Sequence, residues 1–69
     1  MKKYILRNGD YYLADLMYDC NKGELVNFSF DRNYKIYYDD IDSAFDDLKL
    51  IYIEIGIMLK VEEYETKNN

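Results

Sequence analysis

Five aspartates, Asp39, Asp40, Asp42, Asp46 and Asp47, fall within nine residues of a 69-residue chain that also carries nine tyrosines and no histidine. Carboxylates this dense can do three kinds of work. They can cap and orient a helix, because negative charge is favoured at a helix N-terminus. They can hold calcium, but the Asp-x-Asx-x-Asx-Gly order and the glutamate that closes such a loop are both missing. Spaced along a strand end and a helix start, they can also occupy the lysine and arginine sites that a partner keeps for phosphates. Asp31, Glu62, Glu63 and Glu65 would extend such a face.

Catalytic chemistry finds little material. Without histidine there is no imidazole base and no Cys/His zinc constellation. Glycine-rich phosphate loops and G-x-S-x-G elbows are missing as well. The one cysteine, Cys20, lies in a turn beside Asp19, whose charge disfavours a thiolate, and it has no internal disulfide partner. The residues therefore argue against an enzyme and for no cofactor and no metal.

The elements that position the aspartates can be read from the spacing. Asn8-Gly9 is a hairpin signal. A two-residue turn there would pair Arg7 with Asp10, Leu6 with Tyr11 and Tyr4 with Leu13. The second strand runs to about Tyr18 and turns through Cys20-Asn21-Lys22-Gly23. A third strand, Glu24 to Phe30, alternates with Val26, Phe28 and Phe30 inward; a fourth, Tyr34 to Tyr38, follows Asp31-Arg32-Asn33. Asp40 or Asp42 then caps a helix whose stripe is Ala44, Phe45, Leu48, Ile51, Tyr52 and Ile55, with Gly56 at its end. Residues 51–55 also alternate as a strand would, so a hairpin at Gly56 is the competing reading. Ile57, Leu59 and Val61 form the inward side of a last strand. The expectation is an α+β fold, an antiparallel sheet of about five strands in the order β-β-β-β-α-β with one helix on a face. Residues 1–65 make the single domain and 66–69 a frayed tail.

Tyrosine is the second resource. Tyr4, Tyr11, Tyr34, Tyr38 and Tyr52 fall in apolar stripes, whereas Tyr12, Tyr18, Tyr37 and Tyr64 are candidates for exposure. Exposed tyrosine suits binding surfaces because it offers large contact area at low entropic cost. Some of these rings can equally serve to cover the sheet face that lacks a helix. Leu50 and Ile53 lie outside the helix stripe and suggest a second contact, with a homodimer as one form of it.

Charge and length narrow the partner. The formal net charge is −5. The cations are scattered along the chain, which argues against direct binding to nucleic acid or to an anionic membrane and for a protein partner with a basic surface. No apolar run is long enough to span a bilayer, and Arg7, Asn8 and Asp10 interrupt any export signal, so the expected location is the cytoplasm.

The Lys-Lys-Tyr-Ile start, the run Asn8-Gly9-Asp10-Tyr11-Tyr12, and Asp39-Asp40-Ile41-Asp42 before a short helix resemble the small acidic proteins of phages and prophages of low-GC Gram-positive bacteria. Anti-CRISPR proteins belong to that company. The resemblance implies a non-enzymatic inhibitor of a host nucleic-acid-binding protein, an effector nuclease being one such target. The partner-binding residues expected on this reading are Asp39, Asp40, Asp42, Asp46, Asp47, Tyr12 and Tyr37. The alternative is a homo-oligomeric structural or accessory phage protein.

Overall fold

In the computed structural model, which describes residues 2–65, the order is β1 (Lys2–Asn8), β2 (Tyr11–Asp19), β3 (Glu24–Asp31), α1 (Ile41–Ile55) and β4 (Lys60–Glu65). The strands form one antiparallel sheet in the order β3-β2-β1-β4, with α1 against β1 and β4. The fold is α+β, as expected; the tail at 66–69 lies outside the described residues.

Two features depart from the pattern read in the sequence. The first hairpin turns one residue later than Asn8-Gly9 implied, because Arg7 faces Tyr12 and Asn8 faces Tyr11. Gly9 takes φ 62 and no non-glycine residue among those described has positive φ, so Gly9 and Asp10 are the central pair of a type II′ turn. The shift moves each cross-strand partner by two residues, so every side chain of the two strands keeps the face expected of it. Leu6 and Leu13 are buried as that face requires, whereas Tyr11, expected in the same stripe, is exposed beside the turn.

The second departure concerns the expected fourth strand. Tyr34–Tyr38 is extended but enters the sheet through a single antiparallel bridge, Tyr4 to Tyr38. The Tyr4 amide donates to the Tyr38 carbonyl at 2.9 Å and the Tyr38 amide returns a bond at 2.8 Å, while the Ile36 amide donates to the Leu13 carbonyl at 2.9 Å. β4 occupies the other edge of β1, so these bonds place residues 36–38 in the gap where β1 and β2 diverge beyond their turn. The segment is a wedge that satisfies both inner edges. Ile36 and Tyr38 point to the helix side and join the core; Tyr34, expected in the apolar stripe, is exposed.

Two bulges explain the long arm of β2 and β3. Ala14 is an extra residue between the pairs Leu13–Phe30 and Asp15–Ser29, and Val26 is extra between Met17–Asn27 and Tyr18–Leu25. After the first bulge Leu16 shares the core side with Leu13; after the second, Leu25 joins Phe28 and Phe30. Val26, expected inward, is 55% exposed because the bulge takes it out of alternation.

The helix start follows from Asp40. Its backbone is extended, and its carboxylate accepts from the Ser43 amide at 2.8 Å and the Ser43 hydroxyl at 3.0 Å. At the other end Gly56, at φ 85, donates its amide to the Tyr52 carbonyl at 2.9 Å, an αL stop. Residues 51–55 are therefore helix. Ala44 and Ile51 are buried against Leu6, Leu13, Tyr38 and Leu59, with Leu48 and Ile55 beside them. Phe45 and Tyr52, read as inward, are exposed, because the stripe that meets the sheet is the narrower Ala44, Leu48, Ile51, Ile55 set. Asp40→Ala is expected to cost about 0.5–2 kcal/mol in urea unfolding. A loss below that range would mean that Asp40 is not the functional cap.

Candidate functional site

The aspartate cluster does not form one face. Asp40 is engaged by Ser43 as described. Asp47 turns inward and accepts the Tyr38 hydroxyl at 2.5 Å. Asp39 is exposed and ion-paired with Lys3 of β1. Asp46 lies 3.8 Å from Lys49 on the same exposed helix side, a contact worth little in solvent. Of the cluster, only Asp42 and Asp46 remain directed outward from the helix surface, and their i,i+4 spacing puts them on one side. The extension of the acidic face is reduced too. Asp31 accepts the Asn33 and Tyr34 amides at 2.7 and 2.9 Å, and these bonds, Tyr34 first, hold its carboxyl below the usual range. Glu62 pairs with Arg7 at 3.2 Å and Glu63 with Lys2 at 3.2 Å.

Beside Asp42 and Asp46 the helix carries a second stripe. Ile41, Phe45 and Tyr52, spaced i, i+4 and i+11, are exposed, Phe45 at 43% and Tyr52 at 50%. Ile53 is exposed on the outer side and Leu50 is half-buried. Two bulky rings, with Asp42 one turn before Phe45 and Lys49 between the rings, make a surface that can anchor in a partner's apolar pocket, while the outward carboxylates steer toward its cations. Sequence reading counted Phe45 and Tyr52 as core. Their offset from Ala44 and Ile51 was the signal that could have separated them, since the two sets lie on different sides of the helical circumference.

Tyr12 and Tyr37, the expected aromatic contacts, lie across the sheet from α1. Cα partners in adjacent strands share a face. The pairs Arg7–Lys60, Ile5–Glu62 and Lys3–Tyr64 therefore stand on the side opposite Leu6 and Val61, which pack toward α1. Tyr12, opposite Arg7, is there too, as are Lys35 and Tyr37, which alternate with the inward Ile36 and Tyr38. The Lys35 ammonium sits 4.2 Å from the Tyr12 ring centre and 5.6 Å from that of Tyr64. Tyr37 and Tyr64 are tilted against each other at 5.4 Å. Arg7 donates to the Tyr12 hydroxyl at 2.7 Å, and its Nε is buried without a partner among the described residues. Ile5 is only 3% exposed although no helix covers this face, so the surrounding side chains enclose it. Cations far apart in sequence are thus gathered by the fold.

Among the described residues no three His, Cys, Asp or Glu side chains are grouped to hold a metal ion, and no helix is long and apolar enough to cross a membrane. Cys20 is exposed in the β2–β3 turn. No protein-family model, curated protein or solved structure matches the chain.

Proposed function

We propose that this chain is a non-catalytic, acidic binding module of the inhibitor type, which docks on the basic, nucleic-acid-binding surface of a host protein in the bacterial cytoplasm. Its docking element is α1. The observation that carries the reading is the exposed pair Phe45 and Tyr52 on the helix that also presents Asp42 and Asp46 outward. The rings supply anchors, and the carboxylates supply steering toward cations. An effector nuclease of a CRISPR system fits that description of a partner and is the first to try.

The test measures binding to such an effector and to a panel of basic DNA-binding proteins at two ionic strengths. Phe45→Ala with Tyr52→Ala is expected to weaken the complex at least tenfold, an effect of about 1.4 kcal/mol or more. Asp42→Asn with Asp46→Asn is expected to slow association several-fold at low salt and hardly at all at high salt. Asp47 is left untouched because it holds Tyr38. No binding by the parent protein at low salt would sink the proposal.

One observation favours self-association as a second reading. α1 packs on β1 and β4, and the β2–β3 arm leaves Met17, Val26 and Phe28 exposed. Sedimentation at micromolar concentration separates the readings, since a monomer unchanged by dilution removes the oligomer.

A further inference from the structure

We infer that the helix-free face of the sheet binds single-stranded nucleic acid, with Tyr37 and Tyr64 as stacking surfaces and Lys35 and Lys60 as phosphate contacts. The inference rests on no part of the α1 reading, because the two surfaces lie on opposite sides of the sheet.

Two properties of the sequence disfavour nucleic acid, the net charge of −5 and the scatter of the cations. The fold removes the second. Lys3, Arg7, Lys35 and Lys60 come from β1, the segment leading into the wedge and β4, yet stand on one face with Tyr12, Tyr37 and Tyr64. Aromatic rings interleaved with cations on an open sheet are what unpaired bases and their backbone require: each base has a π-face to stack, and each phosphate needs a nearby positive charge.

The four cations are not equivalent. Lys3 is neutralised by Asp39, and Arg7 by Glu62. Arg7 also donates to the Tyr12 hydroxyl, so its task is to fix that ring. Lys35 and Lys60 have no carboxylate partner among the described residues. Lys60 is exposed, and Lys35 is held between Tyr12 and Tyr64 by its attraction to both rings. The rings open to a base are Tyr37, 48% exposed, and Tyr64, 38% exposed. Their centres are 5.4 Å apart and their planes inclined by 55°, so two successive bases can stack only if splayed, as in a single strand. A rigid duplex buries its base faces and offers nothing to these rings. The surface is also small and lightly charged, which suits a short stretch bound with modest affinity.

The experiment uses the intact protein and labelled oligothymidylate and oligouridylate of about eight nucleotides, followed by anisotropy at low salt. Saturable binding is expected, with a slope of log K against log salt near about −1.4, the value for two phosphate contacts on a single strand. Tyr37→Ala and Tyr64→Ala should each weaken binding at least about fivefold, whereas Tyr37→Phe, which keeps the ring, should bind as the parent does. Lys35→Ala with Lys60→Ala should flatten the salt slope. Circular dichroism of each variant establishes that it is folded, and Ile53→Ala on α1 serves as the unaffected control. No binding by the parent overturns the inference. So does a duplex or a mononucleotide bound as tightly as the oligomer, or an alanine variant at Tyr37 or Tyr64 that is folded and binds unchanged. That last result would assign the rings to covering Ile5 alone.

Discussion

Ile51→Ala is expected to lower the unfolding free energy by about 2–5 kcal/mol, the range for deleting a fully enclosed aliphatic side chain. Ile51 has no exposed surface and lies at the meeting of α1 with Leu6, Leu13 and Leu59. The removed atoms leave a cavity in a core of few buried residues, with little surrounding structure able to close in. A domain this small carries about 3–5 kcal/mol in all, so the upper half of that range would leave the variant largely unfolded at room temperature. Urea unfolding followed by circular dichroism checks it, with Ile53→Ala, 76% exposed, expected to change stability by no more than about 0.5 kcal/mol. A loss at Ile51 below about 1 kcal/mol would contradict the packing of α1 on the sheet.

Tyr38→Phe is expected to act on stability through pH. Tyr38 is buried and donates its hydroxyl to Asp47 at 2.5 Å. Burial foremost, then the bond to Asp47 and that carboxylate's charge, push the phenol well above its ordinary value of about 10. In the unfolded chain the phenol loses its proton from about pH 10 upward, while in the folded protein it keeps it. The unfolded state therefore binds fewer protons, and stability falls as pH rises through that window. The contribution is fully present below about pH 10 and is lost progressively above it. The melting temperature of the parent should drop on the alkaline side, and the Phe variant should show a shallower drop. At neutral pH the variant should be less stable by about 1.5–3 kcal/mol, the range for hydrogen bonds to charged groups. Melting curves across the alkaline range decide the matter; parallel curves for the two proteins would show that Tyr38 is not the titrating group.

Local signals were legible in the sequence where one short-range interaction decides the structure. Asp40 and Gly56 bound α1 as their side chain and backbone freedom require, and Ile57, Leu59 and Val61 face the core as read, although the strand they were assigned to starts only at Lys60. What failed was register. Asn8-Gly9 announced a turn, but both positions of the glycine put Leu6 and Leu13 on the same face, so the hydrophobic pattern cannot choose between them. The bulges at Ala14 and Val26 carry no local mark at all, and they determine which residues of β2 and β3 face the core. Tyr34–Tyr38 reads as a strand by alternation, and its extended form is real; its place between β1 and β2 depends on how far those strands diverge. The acidic cluster was visible as composition, but its division into cap, Tyr38 acceptor, Lys3 partner and outward pair depends on tertiary contacts. Lys3, Arg7, Lys35 and Lys60 looked scattered because linear distance says nothing about which strands become neighbours.

The wedge at residues 36–38 also governs the order in which this chain can be assembled. β2 and β3 are joined by a short turn and can find each other locally. β1 and β4 pair Lys2 with Glu65, so zipping them demands that nearly the whole polypeptide be drawn together, the kind of contact that slows a search. Between these halves stands a segment tethered on one side by the turn after β3 and on the other by α1. Neither half can seal its inner edge by itself. The central seam therefore closes as a collective event that joins local hairpin, helix and distant strand, and makes one cooperative unit of a molecule whose sheet is split.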